Sequence, residues 1–181
     1  MAAIGEQSLQ WFSAVDRVDA EPDLAALVRD HSPLLYRVAL SLLRNPAEAE
    51  DVVQDVFVRV LERRRQLGAI VAMRPWLARI AWNLALDRTR RKRPQQMDEV
   101  FAAALVSSDT PADQALAEAG RIARVLAAME RLPQKEREAL LLSAMDELST
   151  AEIGAVLGRS ESSVRSLLFR ARAHLRERLK D

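Results

Sequence analysis

At 181 residues and 49% apolar side chains, the chain is long enough to bury one or two small cores. It has no cysteine and no apolar run of about 18 residues, which excludes disulfides, thiolate metal sites and a membrane-spanning helix. A net charge of +1 excludes a uniformly basic or acidic surface, so a polyanion would have to be met by local segments.

Ala, Leu, Arg and Glu dominate, and only five glycines interrupt them. The expected fold class is therefore all-α, arranged as two small helical domains joined by a flexible acidic linker. Residues 1–22 read as a weakly patterned leader with Trp11 and Phe12 as its candidate anchors. They lack a basic region followed by an apolar block, so no secretory signal is read and a cytoplasmic protein is expected.

The first domain is expected over 23–94. Leu24, Leu27, Val28, His31, Leu35, Val38 and Leu42 repeat at helical spacing. Ser32-Pro33 interrupts them as an N-cap and first-turn proline, which predicts two helices, about 23–31 and 33–44. Asn45-Pro46 repeats that signal. The helix it opens carries Glu48, Glu50 and Asp51 near its positive end, with Val52, Val53, Val56, Phe57, Val60 and Leu61 inward. Residues 66–73 read as a loop. Pro75 begins a helix to about Lys92, with Leu77, Ile80, Ala81 and Leu84 inward and Arg79, Asn83, Asp87 and Arg90 on the opposite face.

Pro94 ends that unit, and 95–118 read as the linker, with one helical turn near Val100–Leu105. The second domain is expected over 119–181, with one helix to about Arg131 and another from Pro133 to about Ala144. A helix-turn-helix follows. Ser149 and Glu152 form a capping box, Ile153, Val156 and Leu157 make an apolar face, and Gly158 supplies a turn with positive φ. Ser160 caps a second helix, on which Val164, Leu168, Ala171, Leu175 and Leu179 face inward and Arg165, Phe169, Arg172 and Arg176 face outward. In this motif the second helix enters the DNA major groove with its N-terminal residues at the base edges.

The charges are segregated. Arg74, Arg79, Arg88, Arg90, Arg91, Lys92 and Arg93 stand against Asp87 alone within 74–93. Arg159, Arg165, Arg170, Arg172, Arg176, Arg178 and Lys180 form a second basic block, and 95–118 between them is acidic without a base. Two contacts with a polyanion, joined by a segment that avoids it, are implied.

Three segments in this order resemble the bacterial extracytoplasmic-function sigma factors of the sigma-70 family, the compact group-four kind with sigma domains two and four only. They are Asp51–Val60, Pro75–Asp87, and Leu132-Pro133 with the helix-turn-helix through Leu175. The resemblance implies that Asp51, Gln54, Asp55 and Arg59 dock on the clamp helices of the largest subunit of core RNA polymerase. The acid and amide groups of that face suit a protein better than DNA, although an ordinary acidic helix start reads the same way. The resemblance assigns Arg79, Asn83, Arg88, Arg90 and Arg91 to the minus-ten promoter element. It places Asn83 in a pocket for a flipped base, a role its paired donor and acceptor suit. Ser163, Arg165, Ser166, Phe169 and Arg170 fall to the minus-thirty-five element. Further implied partners are the polymerase flap and an anti-sigma factor. The linker, at most about 80 Å extended, spans two elements about 50 Å apart.

Trp76 reads as structural, and Trp82 as either core or a base-stacking group. His31 and His174 are isolated, and no nucleophile–base pair or phosphate loop is present, so no enzyme activity, metal or cofactor is expected. Three features depart from the family pattern. Leu67, Ile70, Val71 and Met73 make the minus-ten specificity loop unusually apolar. Leu167 and Ser143 stand where many or some members carry a basic residue. Leu167 is expected to pack on the flank of its helix. A decoy that sequesters anti-sigma would lose the basic blocks, and a free-standing repressor leaves the Asp51–Val60 helix and Asn83 unexplained.

Overall fold

Asp23 accepts a hydrogen bond from the Ala25 N–H at 2.9 Å and so caps α1 (Leu24–Leu43), which runs unbroken through Pro33. The computed structural model describes residues 23–91, 112–145 and 147–180; the 1–22 leader and the helical turn read near 100–105 lie outside them. The two helices expected on either side of Ser32-Pro33 are thus one. Pro33 removes a single backbone donor, to the carbonyl of Arg29, an exposed residue, and Ser32 Oγ donates to the Val28 carbonyl at 2.6 Å. Leu24 and Leu27 before the proline pack on the same core as Leu34, Leu35, Val38 and Ala39 after it. That shared burial outweighs the local break.

Asn45 does start a helix. Its Oδ1 accepts from the Glu48 N–H at 3.2 Å, and α2 (Pro46–Glu62) buries Ala49, Val52, Val56 and Val60. The segment read as a loop contains a 3₁₀ helix (Arg64–Ala69) whose Leu67 is buried. Ile70 and Met73 also pack on the core, so most of the apolar character of 66–73 is core, and Val71 is the large side chain left exposed. α3 (Met73–Arg91) starts two residues before Pro75 and buries Trp76, Leu77, Ala78, Ala81, Trp82 and Ala85. Trp82 is 2% exposed, which makes it core and removes it as a stacking group.

In the second unit α4 (Ala112–Glu130) begins seven residues before the expected boundary at 119, so part of the predicted linker is helical. α5 (Gln134–Ser143), α6 (Thr150–Leu157) and α7 (Glu161–Arg178) follow. The Ser149–Glu152 capping box forms in both directions, Gly158 sits at φ 66°, and Ser160 accepts from the Ser163 N–H at 3.3 Å. Val164, Leu167, Leu168 and Ala171 are buried against α5 and α6.

α1 packs on α2 and α3 in the first unit, and α5, α6 and α7 pack together in the second, with α4 against α7. The units also pack on each other, which no periodicity or motif predicts. α3 lies against α6, and the buried side chains of both units form one continuous apolar cluster. Arginines of the first unit ring this seam. Arg37 and Arg74 reach Glu147, Arg74 also approaches Glu152 at 3.8 Å, and Arg44 pairs with Glu130.

Candidate polymerase and nucleic-acid interfaces

On α2 the positions 51, 54, 58 and 61 follow a three-four-three spacing and so share one face. Asp51 and Gln54 are exposed there, as are Val58 (52%) and Leu61 (53%). Leu61, read as core, is therefore surface. Val58 and Leu61 extend the polar pair into an apolar stripe, the seam type that coiled-coil partners grip. Asp55 and Arg59 flank it, half-buried. Arg88, expected at DNA, turns toward this helix: it pairs with Asp55 at 2.6 Å, approaches Asp51 at 3.7 Å and donates to the Glu48 carbonyl. One guanidinium thus ties the end of α3 to the start of α2 and offsets the acids of that face.

Arg90 and Arg91 are exposed in the last turn of α3, where cations also favour the negative end of the helix. Asn83 is half-buried. Arg79, four residues earlier, stands in the seam and donates from Nη1 to the Ala155 carbonyl at 3.2 Å. Burial there lowers the pKa of its guanidinium from the ordinary value.

The second unit gathers its predicted residues. Arg165, Ser166, Phe169 and Arg170 line one shallow surface concavity on α7, and Phe169 is 77% exposed. A large apolar ring so exposed contributes nothing to the core and is available to a partner. Glu161 accepts from the Thr150 hydroxyl at 2.7 Å and from Arg165. These bonds, the Thr150 one first, hold its carboxyl below the usual carboxylate range. Ser166 Oγ donates back to the Ser162 carbonyl at 3.1 Å, which leaves its lone pairs outward as acceptors. Ser163 serves the cap of α7 through its backbone N–H.

Sequence reasoning missed Glu136, the buried charged residue in the first turn of α5. Its Oε1 is 3.3 Å from Arg170 Nε and its Oε2 is 2.8 Å from His174 Nδ1, so His174 is not isolated. Among the described residues no cluster of His, Cys, Asp or Glu fits a metal ion, and no helix is long and apolar enough to cross a membrane.

Comparison with known proteins places this geometry. Residues 27–95 match the sigma-70 region 2 model and residues 122–175 the sigma-70 region 4 model. The ECF RNA polymerase sigma factor SigW of Bacillus subtilis is 31% identical over 172 residues, 90% of each chain. SigE of Mycolicibacterium smegmatis, also an ECF sigma factor, is 36% identical over 93% of this chain, and the probable sigma factor RfaY of Xanthomonas campestris is 38% identical over 78%. The chain spans 36% of the length of RfaY and 66% of that of SigE. The solved structure of CnrH in complex with the cytosolic domain of CnrY superposes with a TM-score of 0.63 at 29% identity, over 87% of both chains. The chain belongs to the ECF sigma factors of the sigma-70 family.

Proposed function

We propose that this chain is a promoter-specificity subunit of the compact group-four kind. It binds core RNA polymerase, recognises and melts promoter DNA, and is held in check by an anti-sigma factor. In this reading 23–94 engages core polymerase and the minus-ten element, 95–118 is the connector, and 119–181 engages the minus-thirty-five element and the flap. The protein acts in the cytoplasm and has no catalytic centre of its own. The observation that carries this reading is the concavity of α7, where four of the five residues expected at the upstream element converge. The likeness to CnrH, solved in complex with the cytosolic domain of CnrY, supports a second protein as a binding partner. Transcription from a promoter library by core polymerase, with and without the chain, tests it; no chain-dependent start site would reject it.

Two further results are expected. Alanine at Asp51, Gln54, Val58 or Leu61 weakens core binding by about 1 kcal/mol each, roughly fivefold. Helicity is retained, because all four side chains are exposed. A titration against core polymerase reads the loss, and unchanged affinity in all four variants would remove α2 as the docking face. At the upstream element, Arg165→Ala relaxes preference at one base pair by about 1–3 kcal/mol, whereas Arg170→Ala weakens all sequences alike and lowers the salt slope by ~1. A binding selection on randomised upstream elements separates the two, and full preference retained by Arg165→Ala contradicts the assignment.

A further inference from the structure

Glu136 is an unexpected residue to find 5% exposed beneath a recognition helix. Burying the Glu136 carboxylate costs hydration that pairing with a largely exposed arginine repays only in part. Its contribution must be sought in what it fixes. The carboxylate rises from the first turn of α5, where the helix dipole favours a negative charge. Its two oxygens are divided between residues one turn apart on α7. Oε1 takes Arg170 Nε at 3.3 Å, and Oε2 takes His174 Nδ1 at 2.8 Å. No buried polar side-chain atom among the described residues lacks a partner, so the arrangement is complete without water.

The geometry at Arg170 is directional. The bond is made by Nε, the nitrogen nearest the stem, so the guanidinium is tethered while its two terminal nitrogens are not the donors to Glu136. Those nitrogens belong to a side chain 54% exposed on the wall of the concavity it shares with Arg165, Ser166 and Phe169. An arginine otherwise surrenders the freedom of several rotatable bonds when it grips a phosphate. Held at Nε, it has surrendered that freedom beforehand. His174 keeps the carboxylate from swinging away, since its ring anchors the second oxygen.

We propose that Glu136 is a positioning residue for the upstream DNA contact: from beneath α7 it fixes the guanidinium of Arg170 so that the terminal nitrogens face the phosphate backbone. This rests on the reading of α7 as a DNA-binding helix. Glu136 itself does not touch DNA.

The test is a double-mutant cycle in the full chain, with affinity for a duplex carrying the selected upstream element measured by fluorescence anisotropy. Glu136→Gln weakens binding on the order of fivefold when Arg170 is present and leaves it unchanged when Arg170 is alanine. A merely structural carboxylate would lower affinity equally in both backgrounds, and that additivity would overturn the proposal. Tighter binding by Glu136→Gln would also overturn it, by showing that the carboxylate only screens the guanidinium. Glu136→Met, which keeps packing volume, guards against a folding defect: it should melt near the wild type and show the same Arg170-dependent loss. Should the wild-type chain fail to bind the duplex, alone and with core polymerase, the DNA-binding reading of α7 falls, and this proposal with it.

Discussion

Replacing Gly154 by alanine is expected to destabilise the helix-turn-helix by about 1–3 kcal/mol, the usual cost of forcing an extra methyl into a packed interior. A Cβ at this position would stand 2.6 Å from the backbone oxygen of Arg159. No side chain can move to relieve that contact, because the obstruction is the turn itself. The same glycine carbonyl accepts the Arg159 N–H at 2.8 Å and the N–H of Gly158, which closes α6. The turn is therefore folded down onto the bare face of Gly154, and a methyl there lifts the start of α7 and the residues behind it. Thermal unfolding reads the effect as roughly 2–4 °C for each kcal/mol in a chain of this size. Gly120 in α4 is the matched control. A Cβ there meets nothing within 4 Å, so Gly120→Ala should be neutral or gain up to about 1 kcal/mol from helix propensity. Equal melting temperatures for the two variants would contradict the account.

Asn83→Ala is expected to cut promoter opening by about 1–3 kcal/mol, five- to more than a hundredfold, while core binding stays within twofold. The side chain is half-buried on α3, next to the core residue Trp82. Its removal takes little apolar contact with it. What is lost, on the role the resemblance implies, is an amide able to donate and accept at one base edge, as holding an unstacked base requires. Permanganate reactivity of the melted strand, together with a core titration on the same preparation, reads both quantities. Wild-type opening by the variant would refute the role, and a parallel loss of core affinity would assign the residue to the fold.

What the sequence made legible was local. Asn45, Ser149 with Glu152, Gly158 and Ser160 cap and turn as their chemistry requires, because each acts within four residues of its partner. The buried faces of α2 and α7 followed from periodicity, with Leu61 and Leu179 the exceptions: Leu61 lies on the outward face shared with Asp51, Gln54 and Val58, and Leu179, 45% exposed, lies at the end of α7 beyond its buried residues. Ser32-Pro33 and Asn45-Pro46 read alike as helix starts, and only the second is one. The difference lies in burial on both sides of Pro33, which no local signal carries. The same limit hid Glu136, whose partners lie 34 and 38 residues away, and Glu147, whose arginine partners lie 73 and 110 residues away. Charged residues at such separations leave no period to detect. The early start of α4 was missed because acidic composition describes a linker and also the first turns of a helix.

The seam between the units places Arg79 under two claims. While its Nη1 donates to the Ala155 carbonyl, that nitrogen is committed within the chain. If promoter DNA requires Arg79, as the family resemblance implies, DNA captures only the fraction of molecules in which α6 has left α3. Apparent affinity is then the intrinsic affinity scaled by that fraction. Each ~1.4 kcal/mol of seam stability raises the apparent Kd for promoter DNA tenfold. On that condition, the pairs of Arg37 and Arg74 with Glu147 help set the concentration at which the protein engages a promoter.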